Sequence, residues 1–142
     1  MEEIDQNKKE IDIEIFKSKI LKYNQNIKTD PITTEIIRSG LNSAAEQMKK
    51  VLIRSAFSPI IYEVLDFASA IYDTNYCMLA QSPSLPGFMG TLSFCVEQSV
   101  KEIGGQKNLF DGDIIIYNNP FGSGSHSQDA AIVKPVFLEG TL

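Results

Sequence analysis

Apolar residues recur at three- and four-residue steps from Ile37 through Leu41, Ala44, Ala45, Met48, Leu52 and Ala56. That spacing predicts one long helix with a stripe facing a core, and leaves Lys49 and Lys50 in water. Asp30-Pro31 opens the helix: an aspartate caps free amides, proline tolerates the first turn, and Glu35 adds negative charge near the positive end of the dipole. Ser58-Pro59 ends it, because the residue before a proline avoids the helical region and proline has no amide to donate. The period then changes. Phe67 to Tyr72 and Cys77 to Gln81 are short β-compatible runs on either side of Asp73-Thr74-Asn75, the pattern of an antiparallel hairpin. After a loop from Ser82 to Pro86, a second helical stripe runs through Leu92, Cys95, Val96, Ser99, Val100 and Ile103, and Gly104-Gly105 terminates it.

Asp111-Gly112 marks a turn before the run from Asp113 to Tyr117, whose continuous apolar character predicts a strand covered on both faces. A further strand is expected from Ala130 to about Phe137, with a Gly-, Ser- and Asn-rich loop between the two. Residues 1–29 are richer in Lys, Glu and Asn and only weakly amphipathic, so they read as a peripheral arm and residues 30–142 as the folded part. The expected fold is mixed α/β of the α+β kind. It has a long helix and a second helix packed on a mainly antiparallel or mixed sheet of at least four strands.

With 142 residues, 43% of them hydrophobic, the chain can own a core of its own. A net charge of -5 argues against a grip on nucleic acid or an anionic membrane surface, since both require basic residues to offset fixed negative charge. The start is polar, and no run approaches the roughly 20 apolar residues needed to span a bilayer. A cytoplasmic protein is expected. Cys77 and Cys95 are too far apart for a CxxC pair and too few for a disulfide scaffold, so both are expected reduced and mostly buried.

Chemistry concentrates in the loop after Tyr117. His126, the only histidine, stands three residues before Asp129 in a glycine-rich connection between two apolar strands. Imidazole and carboxylate are donors suited to Zn, Mn or Fe, although an open catalytic metal site usually takes three protein ligands. On spacing alone, a hydrogen-bonded surface turn is the favoured account of the pair, ahead of metal binding. Gly122 to Ser125 lacks the GK[ST] ending of a phosphate cradle. Glu63 and Asp66 form a second carboxylate pair near the first hairpin, able to shape a site or to stay solvated. Ser58 has no histidine nearby in sequence to activate it as a nucleophile.

In order, these segments resemble the hydantoinase B/oxoprolinase family. The points of likeness are Asp30-Pro31 with Glu35-Ile36-Ile37, then Ala56-Phe57-Ser58-Pro59, then Glu63, Asp66-Phe67 and Asp73, then Ala80-Gln81 with Pro83. Gly112-Asp113, Asn118, Pro120-Phe121, Gly124, His126 and Asp129 follow, and Pro135-Val136-Phe137 with Gly140 closes the series. The stretch from Asn118 is similar to the family's NDPYxGGTHxxD segment. Four positions depart from the family pattern: Asn119 stands for an aspartate, Val64-Leu65 for paired arginines, and Phe88 for a histidine. Losing Arg and Asp removes charges that would bind an anionic substrate or a phosphorylated intermediate.

The resemblance implies that His126 and Asp129 supply two ligands of a divalent metal, Zn or Mn, with a further histidine from a segment downstream. Glu63, Asp66 and Asn118 would shape the substrate site. It also implies a hydantoinase A-like partner subunit that binds ATP and activates a small-molecule substrate, and chemistry that is hydrolysis of a cyclic amide (hydantoin or 5-oxoproline type) or carboxylation of a ketone. Family subunits are several times longer, so the chain is expected to be an N-terminal portion that works with the remainder of the domain. The competing expectation is a non-catalytic split gene product serving as an assembly or interaction module.

Overall fold

The helix foreseen at Asp30-Pro31 begins there. In this computed structural model, which describes residues 30–83, 85–123 and 126–142, helix α1 spans Pro31–Ser55. The arm expected over residues 1–29 lies outside the described residues, as does Gly124 of the glycine-rich loop. The chain divides into two units, Met1–Ile36 and Ile37–Leu142, and only residues 30–36 of the first are described. The Asp30 carboxylate accepts the Thr33 amide and the Thr33 hydroxyl, each at 3.2 Å, satisfying a donor that the first helical turn leaves without a partner.

Ser58-Pro59 ends the long helix as expected, but the chain takes one more short helical turn, α2 at Pro59–Tyr62, with proline in its first turn. An antiparallel hairpin follows. Strand β1 (Ala70–Tyr72) pairs with β2 (Met78–Gln81), with a bulge between Ile71 and Tyr72. The Asp73 side chain closes the turn by accepting the amides of Asn75 and Cys77, each at 2.8 Å. This is the local hydrogen bonding that places aspartate in turns.

Helix α3 (Pro86–Glu102) carries the second stripe, with Cys95, Ser99 and Val100 at 4%, 1% and 3% exposure. Its end is a Schellman motif. The Gly104 amide bonds the Lys101 carbonyl, the Gly105 amide bonds the Val100 carbonyl, and Gly104 adopts a φ of 92° that an L side chain rarely takes. A single 3-10 turn (Gln106–Asn108) leads to a second antiparallel pair, β3 (Ile115–Tyr117) with β4 (Ala131–Val133). Between them lies helix α4, a single turn at Pro120–Ser123.

The mixed α+β class and the antiparallel strands are as expected, but the strands form two separate two-stranded sheets rather than one of four. Four further expectations are corrected. Along the run from Asp113 to Tyr117, Tyr117 is buried while Ile114, just before β3, and Ile116 are 61% and 74% exposed, so among the described residues one face lacks a cover. Strand alternation sends every second side chain to that open side. On α1, Ala45 is fully buried, but Ile37, Met48 and Leu52 remain 53%, 45% and 40% exposed. The hairpin segment meets α1 at Ala45, where a small side chain lets the Ser69 hydroxyl come within 3.5 Å of the helix backbone. Lys49, expected free in water, donates to the Pro83 carbonyl at 2.7 Å. Both cysteines are free thiols as expected, yet only Cys95 is buried and Cys77 is exposed.

Candidate metal-binding turn

His126 and Asp129 are brought together by a reverse turn. The Asp129 amide donates to the His126 carbonyl at 3.1 Å, which folds the four residues from His126 to Asp129 back on themselves. The same carboxylate reaches back: its Oδ2 accepts the His126 amide at 3.0 Å and lies 3.3 Å from the imidazole Nδ1. The three-residue spacing is therefore what one turn needs to set an imidazole nitrogen beside a carboxylate oxygen. The imidazole is 84% exposed and the carboxylate 30%, so the pair is open to an incoming ligand.

The separation can be compared with a coordination edge. Two donors bound at about 2.1 Å to one ion stand roughly 3.0 Å apart at a right angle and about 3.4 Å apart at the tetrahedral angle. The Nδ1 to Oδ2 distance of 3.3 Å falls between these limits. The separation suits two neighbouring donors of one cation and equally a direct imidazole–carboxylate contact. Among the described residues, no group of three or more His, Cys, Asp and Glu side chains is placed to hold a metal.

Glu63 and Asp66 are accordingly not gathered with that pair. Glu63 caps α2, its amide bonded to the Pro59 carbonyl at 2.8 Å, and its residue is exposed. Leu65 then takes a φ of 59°, uncommon for a side chain of its size, and reverses the chain so that the Asp66 amide reaches the Ile60 carbonyl and Phe67 enters the core. Asn118 is exposed at the start of the loop that carries His126.

Sequence reading missed a cluster at the base of this loop. Tyr117, the last residue of β3, pairs with Ala131, the first of β4, so this pair closes the loop that contains His126 and Asp129. The Tyr117 ring is buried, and its hydroxyl donates to Glu102 Oε1 at 3.0 Å. Burial, and then the bond to the Glu102 carboxylate, push the phenol above its ordinary value of 10.0. The Asn119 amide also donates to Glu102 Oε1, at 3.4 Å, while its own Oδ1 caps α4 by accepting the Phe121 amide at 3.1 Å. An aspartate at 119 would cap equally well but would set a second carboxylate against Glu102. The departure at this position therefore suits its neighbour.

The family model described as hydantoinase B/oxoprolinase matches residues 30–142. A 5-oxoprolinase of Dictyostelium discoideum is 32% identical over 80% of the chain, and 5-oxoprolinase 1 of Arabidopsis thaliana is 33% identical over 86%. The caprolactamase subunit beta of Pseudomonas jessenii is 30% identical over 80%. The matched region spans 9% of the length of each of those two oxoprolinases and 19% of that of the caprolactamase subunit. No solved structure matches. The chain belongs to the hydantoinase B/oxoprolinase family.

Proposed function

We propose that this chain is part of a metal-dependent hydantoinase B/oxoprolinase-type subunit acting in ATP-assisted hydrolysis of a cyclic amide, with His126 and Asp129 contributing two donors to a divalent cation. The observation that carries the reading is the turn that sets Nδ1 and Oδ2 3.3 Å apart in an exposed position. The donor set, one imidazole and one carboxylate, suits Zn or Mn, and the His126 amide bonded to Oδ2 holds the carboxylate in orientation as an outer partner does. In this reading the third donor comes from the remainder of a longer domain, since the relatives extend well beyond the matched region.

A bound ion would supply Lewis-acid polarisation of an amide carbonyl or a hydroxide at neutral pH. The protein's own part is to present the donors on a turn within a loop whose ends, Tyr117 and Ala131, are paired between β3 and β4. Relatives named for 5-oxoproline and caprolactam chemistry favour a lactam-type substrate over a ketone. A relative named as a beta subunit favours a partner, for which an ATP-binding hydantoinase A-like subunit is the fitting class. Glu63, Asp66 and Asn118 would then shape the substrate side of the completed site, and the setting would be the cytoplasm. Among the described residues no helix is long and apolar enough to cross a membrane.

A second reading, a non-catalytic assembly module, draws on the exposed apolar residues of β3 and β4, Ile116 at 74% and Ile132 at 72%. Calorimetry with Zn and Mn on the full chain separates the two. Binding at micromolar Kd or tighter that is lost in a His126→Ala, Asp129→Ala double variant supports the metal site. A folded chain that binds neither ion favours the assembly reading.

A further inference from the structure

We infer that Glu102 is a positioning residue for the loop that carries His126 and Asp129, acting through Tyr117 and Asn119. The inference rests on the metal reading above for its purpose and on separate contacts for its geometry.

Glu102 is the last residue of α3, where a carboxylate is opposed by the negative end of the helix dipole. A residue that breaks a local rule calls for a compensating contact, and this one has two. Its Oε1 accepts the Tyr117 hydroxyl at 3.0 Å and the Asn119 amide at 3.4 Å. These two partners flank the point where β3 becomes the loop. Tyr117 also fixes the far end of the loop, because it is the register partner of Ala131, two residues after Asp129. Asn119 sets the first step by capping α4. Gly122 seals the arrangement: a Cβ there would overlap the Tyr117 hydroxyl, so α4 sits directly against the phenol. One carboxylate oxygen thus ties a helix end to the start of the loop, at Tyr117 and Asn119, and the strand pairing of Tyr117 with Ala131 continues that tie to the far end, without touching either proposed ligand.

The test uses the full, untagged chain, in which His126 is the only histidine and its ring gives one set of NMR signals. Those signals are recorded without metal, and Zn affinity is measured by calorimetry, for the wild type and for Glu102→Ala, Glu102→Gln and Tyr117→Phe. Removing the acceptor in Glu102→Ala is expected to shift the His126 ring signals and to weaken Zn binding about tenfold, the lower end of what outer partners of metal ligands contribute. Glu102→Gln keeps an oxygen that accepts both bonds and is expected to restore both readouts towards wild type. A lost structural carboxylate would show no such rescue. Tyr117→Phe is expected to produce part of the shift. The inference is overturned by a folded Glu102→Ala chain with wild-type ring signals and affinity, or by a Glu102→Gln chain no closer to wild type than Glu102→Ala. Should Glu102→Ala fail to fold, unchanged ring signals in Tyr117→Phe overturn it instead. If the wild type binds no Zn, the metal-free ring signals still decide the role of Glu102.

Discussion

Gly122 lies so close to the Tyr117 hydroxyl that a methyl group added to its Cα would overlap that oxygen. The colliding atom is the end of a rigid, buried ring already bonded to Glu102, so neither partner can step aside cheaply. Gly122→Ala is therefore expected to destabilise the fold by about 1–3 kcal/mol, the usual cost of an added methyl in a packed site. Urea denaturation measures it. In a Tyr117→Phe background, which removes the oxygen, the same substitution should cost clearly less. Equal costs in the two backgrounds would show that the contact is unimportant.

Ser69 and Ser82 make a second buried polar contact, hydroxyl to hydroxyl at 2.8 Å, with Ser82 only 1% exposed. It stitches the segment before β1 to the one after β2, beside Ala45 of α1. Ser82→Ala leaves the Ser69 hydroxyl short of a partner where water is scarce and is expected to cost about 1–2 kcal/mol. The Ser69→Ala, Ser82→Ala double variant should cost less than the sum of the two single changes, because neither hydroxyl is then left behind. Thermal unfolding of the four proteins tests this, and strict additivity would argue against the bond.

Burial raises the Cys95 thiol above its ordinary value of 9.0 and the Tyr72 and Tyr117 hydroxyls above 10.0. In each case the folded protein holds its proton to higher pH than the unfolded chain does. The unfolded state binds fewer protons in that window, so stability falls as pH rises. The contribution is fully present below the unfolded values and is lost as pH climbs through the raised ones. Unfolding midpoints are expected to be level for these groups up to about pH 8.5 and to drop by about pH 10.5. Tyr72→Phe and Tyr117→Phe should each reduce the drop. A midpoint that holds steady to about pH 11 would contradict the burial of these groups.

The local signals were readable where the backbone itself decides. Asp30-Pro31, Ser58-Pro59 and Gly104-Gly105 mark helix ends through capping, a missing amide and a positive φ, and each lies where the structure ends or begins a helix. The hairpin around Asp73 was readable for the same reason, since an aspartate that accepts amides two and four residues on makes its own turn. The short helix α4 was hidden by its Gly- and Ser-rich surroundings, although Asn119 before Pro120 is a cap followed by a first-turn proline. The tie between Glu102 and Tyr117 could not be read at all, because it joins residues 15 apart and no periodicity encodes it. Only the acidic residue at a helix end hinted at it. At the candidate site, the three-residue spacing of His126 and Asp129 carried the geometry of the turn. The exposure of β3 was not legible, because an unbroken apolar run looks the same whether one face is covered or two.

That open face yields a last prediction. Ile116 and Ile132 are direct register partners on β3 and β4, and both point away from the Tyr117 side, at 74% and 72% exposure. Neither side chain gains much from the fold as it stands, so replacing them removes little burial. An Ile116→Lys, Ile132→Glu pair places opposite charges directly across the ladder, where such pairs contribute roughly 0.2–1 kcal/mol. That contribution offsets the loss of two strand-favouring isoleucines. Stability is therefore expected to stay within about 1 kcal/mol of wild type by urea denaturation. Sedimentation should show less self-association at high concentration, since two adjacent isoleucines on a short, uncovered sheet invite apolar contact between molecules. A loss well beyond 1 kcal/mol would mean that this face is packed in solution.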